Sequence, residues 1–266
     1  MPARTVPLAI IYDFDGTLAP GNMQERQFIP EVGMTPNEFW DEVDSLAQEQ
    51  QADRILMYMY VMLERARAAR VSVRREDFRA RSAGIDFFPG VEGWFERINA
   101  YGSGKGVSVE HFLISSGNSE IIEGTPIADR FNKIYASRFL YDANDVAVWP
   151  ALAINFTTKT QYLFRINKGA HDLNDSSTIN RFVPQSDRPV PFENMVYIGD
   201  GETDVPCFRL VKDLGGLSIA VYPEGGKERA EQYREEGRVN CVVPADYTES
   251  SELDNAVKSY INLVAL

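Results

Sequence analysis

Cysteine and histidine are scarce in this chain of 266 residues, which contains two of each. Two cysteines are too few for a disulfide scaffold or a thiolate zinc site. The sequence also lacks any apolar run close to the ~20 residues that a membrane-spanning helix needs. The apolar stretch near its start is too short for a signal peptide. Together these absences predict a cytoplasmic protein without a membrane partner.

Basic residues are also fewer than acidic ones. Lysine and arginine number 27 against 39 acidic residues, which gives a net charge of −12. Such an acidic chain is a poor candidate for binding nucleic acid or anionic lipid through its overall field. Hydrophobic residues make up 44% and charged residues 25%, a globular composition. The length allows one large or two modest domains, and nothing in the composition indicates an oligomeric state.

Short apolar runs alternate with helical patterns along most of the chain. The runs lie at residues 8–12, 111–115, 134–136, 195–198, 217–221 and 241–243. Runs of this length are typical of buried parallel strands, and helical patterns separate most of them. The pattern predicts an α/β fold, a Rossmann-like open parallel sheet with helices on both faces. Residues 148–156 are better explained by an extended strand or hairpin arm than by a helix.

The stretch from residue 20 to residue 86 interrupts this alternation with helical patterns alone. Thr35, Pro36 and Glu38 form a helix start, with Thr as N-cap, Pro at N1 and Glu at N3. Further helices are predicted over 52–69 and 74–83. We therefore expect a mostly helical inserted domain at 20–86 and an α/β core domain made of 1–19 and 87–266.

Two aspartates follow the first predicted strand, in the run Asp13-Phe14-Asp15-Gly16-Thr17. In an open parallel sheet the carboxyl ends of the strands face the ligand crevice. One carboxylate there can attack as a nucleophile while the other transfers a proton. Gly16 permits the sharp turn that this placement needs. The alternative is a simple Asp-rich turn, which the preceding hydrophobic strand makes less favourable.

Two further motifs suit an anion. Ser115 and Ser116 end another strand, where hydroxyl and backbone N–H groups can bind an anion, although Ser-Ser-Gly is also an ordinary turn. Lys159 opens a helical pattern, and a fixed ammonium there can hold a phosphoryl oxygen. Lys168 is the rival candidate, but it lies at the end of the same helix, where the helix dipole already explains a cation.

A fourth motif suits a hard cation. Asp200 and Asp204 follow the apolar run at 195–198, in a glycine-flanked acidic loop. Mg²⁺ prefers carboxylate oxygens and water. The loop therefore predicts a metal site rather than a polar turn, because Asp13 already provides a second acidic strand end.

These four motifs, in this order, resemble those of the haloacid dehalogenase-like (HAD) superfamily, in its phosphoserine phosphatase-like branch with a C1 helical cap. By this resemblance Asp13 is the nucleophile that becomes aspartyl-phosphate. Asp15 is the general acid/base, and its carbonyl oxygen joins Asp13 and Asp200 in holding Mg²⁺. An acid at position 15 accompanies phosphatases and phosphomutases in the superfamily, and the inserted helices at 20–86 correspond to the cap that covers the site.

The resemblance also assigns the remaining motif residues. It makes Ser115 and Lys159 the phosphate binders, with Ser116 lending its backbone N–H. Asp204 is a second acidic residue that either ligates the metal or orients Lys159. Gly16 and Thr17 have supporting roles in the same loop.

The function that these features predict is Mg²⁺-dependent hydrolysis of a small phosphorylated metabolite through an aspartyl-phosphate. One alternative is a phosphomutase, which uses the same residues and returns the phosphoryl group to the substrate. The other is a non-catalytic protein that binds a phospho-ligand, which the complete set of candidate groups disfavours.

The substrate is less well defined by the sequence. Phosphoserine phosphatase-like relatives have a substrate-binding glutamate past the first motif, where this chain has Asn22, and this departure argues against serine phosphate. Asn22, Glu25 and Arg26 are therefore candidate specificity residues. A basic cluster follows, which is either a solvated helix face or a source of one or two arginines that reach an anionic group of the substrate, since helical geometry spreads the side chains round the axis. Its members are Arg65, Arg67, Arg70, Arg74, Arg75, Arg79 and Arg81.

Overall fold

The structure is a computed structural model that describes residues 5–266, which form a single seven-stranded sheet and the helices around it. The strands are β1 (Val6–Tyr12), β2 (Val107–Asn118), β3 (Lys133–Tyr141), β4 (Ala147–Leu152), β5 (Met195–Gly199), β6 (Leu217–Tyr222) and β7 (Cys241–Pro244). The α-helices are α1 (Phe28–Glu31), α2 (Pro36–Gln50), α3 (Arg54–Ala69), α4 (Arg75–Ala80), α5 (Val91–Gly104), α6 (Ser119–Glu123), α7 (Lys159–Lys168), α8 (Ser176–Asn180), α9 (Val205–Asp213), α10 (Lys227–Glu235) and α11 (Glu252–Val264). Over these described residues the helices are all too short or too polar to span a bilayer.

The strand order across the sheet is β4-β3-β2-β1-β5-β6-β7. Neighbouring strands run parallel except β4, which pairs antiparallel with β3 at the sheet edge. The extended segment expected at 148–156 is this edge strand, and it ends at Leu152. The chain crosses from β1 to β2 on one side and from β4 to β5 on the other, so a crevice opens at the carboxyl ends of the central strands.

Both faces of the sheet are covered. Along β1, Leu8, Ile10 and Tyr12 belong to one apolar cluster, and Ala9 and Ile11 belong to a second cluster on the opposite face. The first cluster includes side chains of α5 and α11, and the second those of α7 and α9. Burial on both faces explains why the strands are continuous apolar runs rather than alternating ones. The predicted α/β fold is confirmed.

Three of the helices between β1 and β2, namely α2, α3 and α4, begin within two residues of the predicted positions, whereas the short α1 was not predicted. Thr35 caps α2, since its side chain accepts from the Glu38 N–H at 3.3 Å while the Glu38 carboxylate accepts from the Thr35 N–H at 2.8 Å. The helix expected at 74–83 is α4, followed by a 3-10 turn over Arg81–Gly84.

These helices share an apolar cluster with the sheet. Phe28 of α1 stacks on Phe78 of α4 with ring centroids 6.1 Å apart, and Phe78 stacks on Phe139 of β3 at 5.2 Å. The division into an inserted domain at 20–86 and a core domain stays a prediction, because this packing joins the two parts through one core.

A buried polar chain crosses the interface between β1, β2 and α5. The Trp94 indole donates to the Tyr12 hydroxyl at 2.8 Å, and that hydroxyl lies 2.9 Å from Nδ1 of His111. Nε2 of His111 lies 3.0 Å from the Asn99 side-chain oxygen. If Nε2 carries the proton, every donor in this network faces an acceptor. Burial lowers the pKa of His111 to about 3, so the ring is held neutral.

This buried hydrogen-bond network predicts that the folded protein loses stability at acidic pH. The unfolded protein binds a proton at His111 near pH 6.5 and the folded protein only near pH 3. The stability that neutral His111 contributes is therefore present above pH 6.5 and is lost as the pH falls towards 3. Between these values His111 lowers the free energy of unfolding of the wild type by about 1.4 kcal/mol for each unit by which the pH falls. His111→Gln lacks this contribution, so its free energy of unfolding should decrease less steeply by that amount. Equal slopes in urea titrations from pH 6.5 to 4.5 would contradict this.

Candidate functional site

Asp13 and Asp15 lie in the loop that follows β1. The Asp13 carboxylate accepts from the Phe14 N–H at 2.7 Å, and the Asp15 carboxylate accepts from the Met23 N–H at 2.9 Å. Gly16 turns the chain with a φ of 76°. A Cβ at Gly16 would lie 2.2 Å from Oδ2 of Asp200, so only glycine permits the close approach of the two acidic loops.

Lys159 is the lysine that the structure brings to these carboxylates. It is the first residue of α7 and fully buried, and its Nζ lies 3.0 Å from Oδ2 of Asp13 and 2.8 Å from Oδ1 of Asp204. Although burial disfavours its ammonium form, the two carboxylates raise the pKa of Lys159 above its usual range. Lys168 lies at the other end of the helix and donates to backbone carbonyls of residues 179 and 181.

Asp204 uses both of its carboxylate oxygens within the protein. Besides Lys159, Oδ1 accepts from the Tyr197 hydroxyl at 2.7 Å. Oδ2 accepts from the N–H groups of Asp200 and Gly201 at 3.1 and 3.3 Å. Asp204 therefore holds both the lysine and the loop that bears Asp200. A residue of the first motif also holds the Asp200 side chain, because the Thr17 hydroxyl donates to its Oδ1 at 3.2 Å.

The crowded carboxylates form a site that suits a cation. Oxygens of Asp13, Asp200 and Asp204 lie within 4.8 Å of one another. Burial, partly offset by Lys159, raises the pKa of Asp13 to about 6, and burial together with the charge of Asp204 raises the pKa of Asp200 to about 8. A divalent ion would favour the ionised forms, so the donor set fits such an ion. Since Asp204 already accepts four hydrogen bonds, Asp13 and Asp200 are the better ligands.

The serines lie at the end of β2 on the other side of β1. The Ser115 hydroxyl is buried and accepts from the Gly117 N–H at 3.0 Å. The Ser116 backbone carbonyl accepts from the Tyr58 hydroxyl at 2.7 Å. Both serines, Asp13 and Asp15 line one cavity of about 280 Å³. The structure therefore brings three of the four motifs to one cavity, with Lys159 of the remaining motif directly behind Asp13.

Of the specificity candidates, Asn22 lines this cavity. Glu25 lies just behind, where its carboxylate accepts from the Asn22 amide at 2.6 Å and from the Trp40 indole at 2.7 Å. Arg26 is exposed and donates instead to the Pro20 carbonyl. Arg26 therefore lies outside the cavity.

The basic cluster of residues 65–81 does not contribute to the cavity lining. Its ion pairs lie elsewhere: Arg65 with Glu42, Arg67 with Glu64, Arg75 with Asp145, Arg79 with Glu123 and Arg81 with Glu31. The arginines that do line the cavity are Arg54, at the start of α3, and Arg229 of α10.

Sequence reasoning missed most of the residues that line the cavity opposite the motifs. Besides the two arginines they include Gln24, Trp40, Ile55 and Tyr58. No motif or spacing marks them, and Tyr58 falls in a run that is apolar nearly all round. A larger and more open depression of about 680 Å³ lies along residues 82–93, but none of the candidate site residues line it. The smaller cavity is therefore the functional candidate.

The buried position of Lys159 leads to a prediction for stability. Lys159→Met leaves Asp13 and Asp204 without their cation, and breaking a buried ion pair typically costs about 3–5 kcal/mol. We expect a loss of this size in the free energy of unfolding at pH 7. The matched control is Lys168→Met, which removes only hydrogen bonds to backbone carbonyls near the surface. A similar, small loss in both variants would contradict the placement of Lys159 in ion pairs with Asp13 and Asp204.

Comparison with known proteins identifies the family. The family model of haloacid dehalogenase-like hydrolases matches residues 10–209, which include all four motifs. The chain belongs to the haloacid dehalogenase-like hydrolase family. It is also 29% identical over 294 aligned residues to an uncharacterised protein of Borreliella burgdorferi, with 99% of each chain covered. The predicted hydrolase family is confirmed.

Solved structures of this family share the fold. A probable phosphoserine phosphatase from Vibrio cholerae aligns with a TM-score of 0.59 and 14% identity, over 99% of this chain and 67% of that one. A phosphoserine phosphatase with a phospho-aspartyl intermediate analogue aligns with a TM-score of 0.56 and 15% identity, over 96% and 99%. A family hydrolase from Salmonella enterica gives 0.58 and 16%, over 91% and 69%. This haloacid dehalogenase-like hydrolase therefore has the predicted phosphoserine phosphatase-like fold.

Proposed function

We propose that the protein is a Mg²⁺-dependent phosphatase that hydrolyses a small phosphorylated metabolite through an aspartyl-phosphate on Asp13. The observation that carries the proposal is the juxtaposition of a buried Lys159–Asp13 ion pair with the Ser115 hydroxyl and Asp15 around one cavity. A nucleophile, a proton donor and groups that bind a phosphoryl oxygen are the set that phosphoryl transfer needs.

Asp13 is the nucleophile in this proposal. One of its oxygens forms a bond to phosphorus while the bond from phosphorus to the leaving oxygen breaks. Lys159 and Ser115 would hold phosphoryl oxygens and offset their charge. The ion would be held by Asp13, Asp200 and the Asp15 carbonyl oxygen, and it would supply further charge stabilisation at the transferred group.

Asp15 is the general acid and base in this proposal. Burial and the neighbouring charge of Asp13 raise the pKa of Asp15 well above its usual value, so a proton is available for the leaving oxygen. The resulting carboxylate can then take a proton from water, whose oxygen attacks phosphorus while the bond from phosphorus to the Asp13 oxygen breaks, and inorganic phosphate is released. Asp13 is thereby regenerated.

The volume and lining of the cavity limit the size and chemistry of the substrate. Its volume of about 280 Å³ lies just below the range that is usual for ligand pockets, which favours a small metabolite. Trp40, Ile55 and Tyr58 form an apolar and aromatic wall. Two guanidinium groups lie at the rim, Arg54 paired with Asp44 and Arg229 paired with Glu202. We also propose a cytoplasmic location, supported by the two free cysteines, Cys207 and Cys241.

The test of the function is release of inorganic phosphate from a panel of phosphorylated metabolites, with p-nitrophenyl phosphate as a generic substrate. We expect release with Mg²⁺ and none with EDTA. A rearranged phosphoester without free phosphate would favour a phosphomutase, and no turnover of any compound would contradict the proposal.

The rim arginine Arg54 allows a prediction on specificity. If the substrate carries a second anionic group, we expect Arg54→Ala to lower kcat/KM about fivefold to tenfold, because a charged hydrogen bond at a partly exposed position is partly screened. Arg65→Ala, which removes an arginine of the same helix outside the cavity, is the matched control. Equal values for both variants would remove Arg54 from substrate binding.

A further inference from the structure

Tyr58 brings a hydroxyl group from the inserted helices to the strand end that carries the serines. It lies on α3, is 2% exposed and lines the cavity. Its hydroxyl donates to the Ser116 carbonyl at 2.7 Å. Tyr60, two positions further along the same helix, is exposed and lies outside the cavity lining. The contact with the serine loop therefore depends on position 58.

The peptide unit between Ser116 and Gly117 is held at both of its polar groups. Tyr58 holds its carbonyl oxygen, and the Ser115 hydroxyl oxygen accepts from its N–H at 3.0 Å. The pairing of β2 with β3 shifts register between Ser115 and Asn118, so the regular ladder is interrupted here. Because a peptide unit is planar, these two contacts together set its orientation.

This arrangement determines what the Ser115 hydroxyl can do. Its oxygen accepts from Gly117, so its single hydrogen is free to donate to another group. Ser115 lines the cavity beside Asp13, where the phosphoryl group of the proposed reaction would lie. We propose that Tyr58 is a positioning residue, which holds the Ser116–Gly117 peptide and thereby aims the Ser115 hydroxyl at the phosphoryl group. This inference rests on the function proposed above.

The experiment measures the affinity for inorganic phosphate by calorimetry in the presence of Mg²⁺, and the thermal midpoint of each variant. We expect Tyr58→Phe to bind phosphate about fivefold to tenfold more weakly, the scale of one neutral hydrogen bond, and Tyr60→Phe to bind like the wild type. In a Ser115→Ala background, Tyr58→Phe should cause no further loss, because Tyr58 acts through Ser115. A purely structural role would lower the thermal midpoint and leave phosphate affinity unchanged.

The outcomes separate this inference from the function on which it rests. If the wild type binds phosphate and Tyr58→Phe binds it equally well, the positioning role is overturned and the phosphatase proposal stands. The same holds if Tyr58→Phe weakens binding equally with and without Ser115. If the wild type neither binds phosphate nor releases it from any substrate, the proposed function fails and the role of Tyr58 fails with it.

Discussion

Asp13→Asn should abolish phosphate release while leaving the protein folded. The amide cannot attack phosphorus as the carboxylate does, and removal of a catalytic nucleophile typically lowers kcat by more than about 10⁴-fold. Asparagine is close in size to aspartate, and its side-chain oxygen can still accept from the Phe14 N–H. The measurement is kcat with p-nitrophenyl phosphate and Mg²⁺.

A stability measurement provides the control for this variant. Burial raises the pKa of Asp13 to about 6, so the ionised carboxylate disfavours the folded state above that pH. Asp13→Asn removes this penalty and leaves Lys159 its ion pair with Asp204, so in EDTA at pH 7.5 the variant should unfold at a temperature no lower than the wild type. A folded variant that turns over at the wild-type rate would exclude Asp13 as the nucleophile.

Asp15→Asn should slow turnover by about 10²–10⁴-fold, the usual effect of losing a general acid/base. The size of this decrease in turnover should depend on the leaving group. With an alkyl phosphate the first step is slow, because the departing alkoxide needs a proton. Nitrophenolate departs without one, so with p-nitrophenyl phosphate we expect a burst of about one nitrophenolate per protein followed by slow hydrolysis.

The burst distinguishes the role of Asp15 from a general loss of structure. An unfolded fraction lowers the burst and the steady rate together, whereas loss of the acid/base preserves the burst. The matched control is Asp145→Asn, the same chemical change at a surface aspartate that pairs with Arg75 and lies outside the cavity lining. A linear time course at the wild-type rate would remove Asp15 from the chemistry.

The motif residues could be placed from the sequence because each follows a short-range rule. Asp13 and Asp200 come directly after apolar strands, and parallel strands bring their carboxyl ends to the same edge. Lys159 opens a helix, and the structure begins α7 at that residue. These rules do not specify the role of Asp204, because its hydrogen bonds to Lys159, Tyr197 and two backbone N–H groups depend on tertiary packing.

The opposite wall of the cavity could not be predicted in this way. Arg54, Tyr58 and Trp40 lie on helices whose direction across the sheet is set by packing, not by local sequence. The arginines at 65–81 are more conspicuous in the sequence, but those on α3 and α4 pair with carboxylates away from the cavity. Charge density along a helix indicates solvent exposure, whereas a binding role depends on which side chain reaches the strand ends.

The packing of the inserted helices on the sheet could not be predicted from the sequence either. The insertion point predicts a separate covering module, and Phe28, Phe78 and Phe139 join its helices to β3 in one apolar cluster. The Asn155 amide, in the loop before α7, also donates to the Asp53 carboxylate at the start of α3 at 2.6 Å. Long-range aromatic contacts of this kind have no signature in the spacing of single residues.

The central claim is that a phosphoryl group passes through Asp13, and trapping that intermediate tests it most directly. Asp15→Asn protein is mixed with p-nitrophenyl phosphate and Mg²⁺, quenched during the burst and treated with borohydride, which reduces an acyl phosphate on aspartate to homoserine. We predict homoserine at position 13 by peptide mass spectrometry, and none in the Asp13→Asn protein. Unmodified Asp13 after a full burst, or reduction at another residue, would contradict the account.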